Sequence, residues 1–104
     1  ESAQGLENIE EIAQVHGVDA IFIGAFDLSQ ALGVAGDTTN PKVETAIERI
    51  LDVCGRYEVI PGIVAPTVEV ARKRIEQGFL YVTILDDMAF LADAAEKRLA
   101  DVKE

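Results

Sequence analysis

Three short apolar runs, each lying between segments with helical spacing, constrain the fold of this chain more than any other feature. The strands predicted from them are Val18–Ile23, in which the apolar run is Ala20–Ile23, then Val59–Ala65, and Phe79–Leu85, which is apolar apart from Thr83. Strands that alternate with helices form parallel sheets with right-handed crossovers, and unbroken apolar strands are typical of sheets buried on both faces. The sequence therefore predicts an α/β fold in the order α-β-α-β-α-β-α, with three parallel strands.

Helical spacing and turn residues place the helices of this pattern. We expect a first helix over Leu6–Val15, broken at Gly17, and a short helix over Leu28–Leu32. Asn40 followed by Pro41 is the usual start of a helix. Apolar stripes predict the inward faces of three later helices: Val43, Ile47, Ile50, Leu51 and Cys54 in the helix to about Gly55, Val68, Ala71 and Ile75 in the helix from Thr67 to Gly78, and Leu91, Ala94, Ala95, Leu99 and Val102 in the last helix.

Composition and charge exclude several classes of partner. The 104 residues carry 19 acids and 9 bases, a net charge of −10, which argues against binding to nucleic acid through its phosphates. No apolar run approaches the roughly 20 residues of a membrane span, so we expect no membrane partner. Cys54 is the only cysteine, so an intramolecular disulfide is impossible and a reducing, cytoplasmic location is expected.

An acid, Asp27, follows the first predicted strand three residues after Gly24. Ligands of parallel α/β folds bind at the carboxyl ends of the strands, so this is a candidate site. Asp27 could be the N-cap of the short helix, which spacing alone favours, or an oxygen ligand of a divalent cation. In the second case the amides of residues 25–27 could hold an anionic substrate. A metal site needs a second carboxylate, and Glu1 precedes the helix that leads to this strand.

Five segments of the chain together carry a family resemblance: ESAQGLENIEEIA, GVDAIFIGAFDLSQALG, NPKVETAIERI, PGIVAP and GFLYVTILDD. In this order they resemble the HpcH/HpaI aldolases, the class II pyruvate aldolases. The resemblance covers essentially the whole chain and implies that residues 1–104 are the C-terminal half of a single (β/α)8 TIM barrel, incomplete as an isolated chain.

The resemblance implies a metal-dependent reaction. The family binds a divalent metal (Mg²⁺, Mn²⁺ or Co²⁺) through a Glu and an Asp at consecutive strand ends, which correspond here to Glu1 and Asp27. Its members reversibly cleave a 4-hydroxy-2-oxo acid to pyruvate and an aldehyde. The metal acts as a Lewis acid that stabilises the pyruvate enolate.

The resemblance also implies which residues contact the substrates. The amides of Phe26 and Asp27 would hold the carboxylate of pyruvate, while Gly24 and Ala25 leave space for it. Val64 corresponds to an apolar position that shapes the aldehyde side of the pocket.

Two departures from the family pattern leave alternatives open. The family usually has Pro after the glycine, whereas this chain has Ala25, which also occurs in the related citrate lyase β-subunits. A lyase acting on citryl or malyl thioesters is therefore an alternative. The family's catalytic Arg and its His-based proton-transfer groups belong to the first half of the barrel, so we expect no catalytic residue in these 104 and little activity from the chain alone. A non-catalytic half-barrel assembly module is a second alternative.

A receiver-like regulatory domain is a third alternative, because it also has an acid after a strand. It requires a Lys after a late strand, and Leu85, Asp86 and Asp87 provide none.

His16 precedes the first strand, at the wrong end of the sheet for catalysis. Asp86 or Asp87 is expected to cap the last helix.

The remaining expectations concern assembly and the outer surface. The family forms trimers or hexamers in which the last helix packs on a neighbour, so a homo-oligomer is expected. The chain begins at Glu1 without Met, and we expect it to be a fragment. Arg72, Lys73 and Arg74 are expected on the polar outer face of their helix.

Overall fold

A computed structural model describes all 104 residues and contains three parallel strands with helices between them. The strands lie in the order β1-β2-β3, and both neighbouring pairs are parallel. The predicted α/β alternation is confirmed. The elements are α1 (Ala3–Glu7), α2 (Ile9–Ala13), β1 (Ala20–Ile23), α3 (Ala25–Ala31), α4 (Pro41–Arg56), β2 (Ile60–Ala65), α5 (Val68–Gln77), β3 (Tyr81–Ile84) and α6 (Asp87–Lys103).

The first predicted helix is two short helices instead of one. Asn8 ends α1 and precedes α2, with φ −93° and ψ 13°, outside helical geometry. Asparagine is a weak helix former because its side chain competes for backbone hydrogen bonds. The helix also begins earlier than Leu6, because the hydroxyl of Ser2 accepts a hydrogen bond from the Gly5 N–H at 3.0 Å and caps α1.

The predicted boundaries of α4 and α5 are confirmed by their caps. The Asn40 side chain accepts from the Lys42 N–H at 3.0 Å, and the Thr67 hydroxyl accepts from the Val70 N–H at 3.2 Å. Gly78 ends α5 in a left-handed conformation with φ +110°, which suits a residue without a Cβ.

The hydrophobic core lies between one face of the sheet and the helices packed on it. Ile23 and Ile63 are buried on the strands. From α4, the buried residues include Val43, Ile47, Ile50, Val53 and Cys54. Burial raises the pKa of the Cys54 thiol, as expected of a packing residue rather than a reactive one. On α5 the expectation holds for Ala71 but is wrong for Val68 and Ile75, which are half exposed because no element of this chain covers them.

The other face of the sheet is open, contrary to the expectation of strands buried on both faces. Phe22, Gly62 and Tyr81 share one register position on neighbouring strands, so they lie on the same face. The rings of Phe22 and Tyr81 meet edge to face across Gly62, with centroids 5.2 Å apart. Both rings remain about half exposed, as does Ile60.

The last helix, α6, buries none of its residues. Its predicted N-cap is confirmed, because Oδ1 of Asp86 accepts from the Ala89 N–H at 2.7 Å. The apolar stripe predicted to face inward is exposed along its whole length. No helix of this chain is both long enough and apolar enough to cross a membrane.

Arg74 is buried, contrary to the prediction that it lies on the polar outer face of α5. Its guanidinium donates to both carboxylate oxygens of Glu44 on α4, at 2.6 and 2.9 Å, and to the side chain of Gln77 at 2.9 Å. The Glu44 carboxylate compensates the positive charge of the buried guanidinium, and the ion pair connects α5 to α4.

Candidate functional site

The carboxyl ends of the three strands meet at one edge of the sheet and border a cavity of about 330 Å³. This volume lies at the lower end of the range for small-molecule sites, about 300–1,000 Å³. The cavity is lined by Ala25, Phe26, Gly36, Thr38, Val64, Pro66, Leu85 and Asp86. Three of the five residues that the sequence assigned to substrate binding, Ala25, Phe26 and Val64, are therefore in its wall.

The two predicted metal ligands, Glu1 and Asp27, converge beside Gly24. A methyl group at Gly24 would lie 2.9 Å from Oε2 of Glu1 and 3.5 Å from Oδ2 of Asp27. Both carboxylates therefore border the space that the missing side chain of Gly24 leaves open. Both acids are exposed, and neither forms an ion pair with a basic side chain of this chain.

This pair fits a Mg²⁺-type site but not a site built from protein ligands alone. The chain has no group of three or more His, Cys, Asp or Glu residues placed to hold a metal. Mg²⁺ is commonly held by one or two carboxylates and completes its coordination with water and substrate oxygens. Glu1 and Asp27, which meet beside Gly24, would supply the two carboxylates, although neither of them lines the cavity described above.

Asp27 is not the N-cap of the short helix, so the competing structural role for this residue is wrong. The helix α3 begins at Ala25 instead of Leu28, and Gly24 is its N-cap. The first intrahelical hydrogen bond runs from the Leu28 N–H to the Gly24 carbonyl, at 2.9 Å. Asp27 lies in the first turn, where a carboxylate is favourable, and the amides of Phe26 and Asp27 precede that first bond.

A buried serine that sequence reasoning missed fixes the position of Phe26. Ser29 is fully buried; its hydroxyl donates to the Phe26 carbonyl at 2.5 Å and accepts from the Gly36 N–H at 3.0 Å. The loop between α3 and α4 is thus bound to α3 next to the cavity. The only signal in the sequence was a serine on the apolar side of a short helix, which by itself does not indicate a site.

The other candidates have the places that the sequence predicted. His16 precedes β1 and so lies at the edge of the sheet opposite the cavity. Asp86 caps α6 and also lines the cavity, whereas Asp87 accepts a hydrogen bond only from the Met88 N–H beside it.

The comparison with known proteins identifies the family. The model of the HpcH/HpaI aldolase/citrate lyase family matches residues 1–94. The chain belongs to this family. Glu1, Gly24 and Asp27 lie within the matched residues.

Individual relatives agree with this membership. The chain is 39% identical over 101 residues to a 5-keto-4-deoxy-D-glucarate aldolase of Escherichia coli O6:H1, a match that covers 97% of the chain. It is 39% identical over 103 residues, 99% of the chain, to a hydroxypyruvate/pyruvate aldolase of Chromohalobacter salexigens. A solved HpcH/HpaI aldolase/citrate lyase family protein from Burkholderia cenocepacia J2315 superimposes on the whole chain with a TM-score of 0.94 and 38% identity.

The chain spans about two-fifths of the length of these relatives: 39% and 41% of the two curated aldolases and 40% of the solved structure. Its three strands are thus part of the (β/α)8 barrel of HpcH/HpaI aldolases, as the sequence predicted. The open face of the sheet, with Phe22 and Tyr81, is the face that a closed barrel encloses.

Proposed function

We propose that the protein carrying this chain is a metal-dependent aldolase that reversibly cleaves a 4-hydroxy-2-oxo acid to pyruvate and an aldehyde. The observation that carries the proposal is the convergence of Glu1 and Asp27 beside Gly24, at the carboxyl ends of the strands. Membership of the HpcH/HpaI family and relatives named as aldolases support it.

The residues of this chain would bind and orient the 2-oxo acid. Glu1 and Asp27 would hold the divalent cation (Mg²⁺, Mn²⁺ or Co²⁺), which supplies Lewis-acid stabilisation of negative charge on a substrate oxygen. The amides of Phe26 and Asp27 would donate to the substrate carboxylate, and Gly24 and Ala25 leave the room that this approach needs. Val64 would contact the aldehyde portion across the cavity.

Proton transfer would come from residues outside these 104. The only histidine of the chain, His16, lies at the opposite edge of the sheet, and no arginine lines the strand-end cavity. We therefore expect the chain alone to bind the 2-oxo acid at best and to cleave nothing.

A second candidate is a lyase acting on citryl or malyl thioesters, and Ala25 is the observation that favours it. The family model covers citrate lyases as well as aldolases. The two candidates differ in their products, since an aldolase releases pyruvate and a free aldehyde whereas a thioester lyase releases an acetyl thioester. Assaying the full-length protein for both products distinguishes them.

A homo-oligomer, trimeric or hexameric, belongs to the same proposal, with α6 packing on a neighbouring subunit. The exposed apolar stripe of α6 supports it, because this helix buries nothing within its own chain. A cytoplasmic location is supported by the single, buried cysteine, Cys54.

The test is a Mn²⁺ titration of the full-length protein, with and without oxalate, which mimics the enolate of pyruvate. We expect oxalate to strengthen Mn²⁺ binding, and Asp27→Asn to abolish that enhancement. Asp19→Asn is the matched control, because Asp19 is exposed at the other end of the same strand. Metal binding that Asp27→Asn leaves unchanged would refute the site and the metal-dependent aldolase function that rests on it.

A further inference from the structure

Leu85 has a backbone conformation that residues with a side chain rarely adopt. Its φ is +55°, and the only other non-glycine residue with a positive φ is Glu58, at +57°. The left-handed region brings Cβ of an L-residue close to the backbone and is normally occupied by Gly, Asn or Asp. Glu58 directly follows the C-cap of α4, where this conformation is common. Leu85 follows a strand, so no helix end explains it.

Hydrogen bonds on both sides fix the backbone at Leu85. Its N–H donates to the Ala65 carbonyl at 3.1 Å, which continues the pairing of β3 with β2 by one residue. The next residue, Asp86, caps α6 through the Ala89 N–H. Glycine would satisfy both requirements without strain. The backbone therefore gives no reason for a leucine at this position.

The side chain of Leu85 instead contributes to the cavity wall. Leu85 is partly buried and lines the cavity with Phe26 and Val64. These three residues come from the ends of three neighbouring strands: Phe26 follows β1, Val64 is in β2 and Leu85 follows β3. The hydrogen bond from Ser29 to the Phe26 carbonyl holds the first of them in place. Ala25 also lines this cavity, so the backbone proposed to hold the carboxylate of the 2-oxo acid adjoins these three side chains.

We propose that Leu85 is a specificity-determining residue that, together with Phe26, restricts the aldehyde substrate to short chains. The inference rests on the proposed aldolase function, because it names the substrate class of that same site. The strained backbone at Leu85 is retained because the side chain closes the side of the cavity next to β3. Backbone strain of this kind clusters at functional sites.

The test measures aldol addition of pyruvate to acetaldehyde and to hexanal by the full-length protein, expressed as the ratio of the two kcat/KM values. We expect Leu85→Gly to shift the ratio towards hexanal by about tenfold, since room for even one methylene changes discrimination by 10–200-fold. Leu85→Ala should shift it in the same direction. Only the glycine variant should raise the melting temperature, because only it relieves the strained backbone.

Glu58→Gly is the matched control, since it relieves the same backbone conformation away from the cavity. It should raise the melting temperature and leave the aldehyde ratio unchanged. An unchanged ratio in both Leu85 variants, with normal activity on acetaldehyde, would overturn the specificity role and leave the aldolase function intact. A wild-type protein that adds pyruvate to neither aldehyde, although it cleaves its 4-hydroxy-2-oxo acid, would also overturn the specificity role. A protein that neither cleaves nor adds would overturn both proposals.

Discussion

At the scale of single residues, the site depends on the absence of a side chain at Gly24. Its φ is −88°, an ordinary value, so glycine is not needed there for backbone reasons. A Cβ at this position would instead lie 2.9 Å from Oε2 and 3.3 Å from Cβ of Glu1. Gly24 thus keeps open the space where the Glu1 and Asp27 carboxylates meet.

Gly24→Ala should therefore weaken metal binding more than it affects folding. The Glu1 side chain is flexible and exposed, so it can move away from the new methyl group at little cost, but its carboxylate then leaves the site. We expect Mn²⁺ affinity to fall about tenfold, the size of effect seen when groups that orient metal ligands are changed. Gly55→Ala is the control, because a Cβ at Gly55 meets nothing within 4 Å. That control should stabilise α4 by about 0.5–1 kcal/mol and leave Mn²⁺ binding unchanged. Equal Mn²⁺ affinity in both variants would contradict the role of Gly24.

At the scale of elements, the ion pair between Glu44 and Arg74 holds α4 and α5 together behind the site. The hydrogen bond from Arg74 is the main reason why the pKa of Glu44 lies below its usual value of 4.5. Glu44 also accepts from the Lys73 ammonium at 3.1 Å, but Lys73 is half exposed, so its contribution is screened by water. The buried pair, rather than the exposed one, connects the two helices.

Glu44→Gln should destabilise the fold by about 2 kcal/mol, because it leaves the buried guanidinium without a counter-charge. A carboxyl group whose pKa is lower in the folded state than in the unfolded state stabilises the fold fully at a pH above the unfolded-state pKa. It loses this effect as the pH falls through the folded-state pKa. The difference between wild type and variant should thus be largest near neutral pH and shrink below about pH 4.5. Urea unfolding at pH 7 and pH 3.5 measures it. Lys73→Met, the control, should lower the free energy of unfolding by less than about 1 kcal/mol. A difference that grows on acidification would show that the pair does not stabilise the fold.

The elements also show which parts of the structure the sequence can predict. The caps at Asn40, Thr67 and Asp86 were predictable because the side chain and the N–H it binds lie within three residues of each other. The burial of Arg74 was not, because its partner Glu44 is 30 residues away. The same holds for the candidate site. Asp27 is predictable as a site residue because it follows a strand. The roles of Ser29 and Leu85 are not predictable, because they depend on hydrogen bonds and backbone angles that only the structure shows.

At the scale of the whole molecule, this part of the barrel is extended rather than compact. Its radius of gyration is 16.0 Å, whereas a compact domain of this length has about 13 Å. Two surfaces of this part are uncovered: the open sheet face around Phe22 and Tyr81, and the helix α6. Closure of the barrel would cover the open sheet face.

The apolar stripe of α6 makes the proposed oligomer testable. Leu91 is 73% exposed and Leu99 54% exposed. Leu91→Glu places a charge within the expected subunit contact and should yield smaller assemblies of the full-length protein by sedimentation analysis, because an unpaired buried charge is costly. Ala100→Glu adds the same charge nine residues away, on the opposite side of the helix, and should leave the assembly intact. Identical sedimentation of both variants and the wild type would place the subunit contact elsewhere. Loss of assembly in both would show that the added charge matters rather than the face of α6 that carries it.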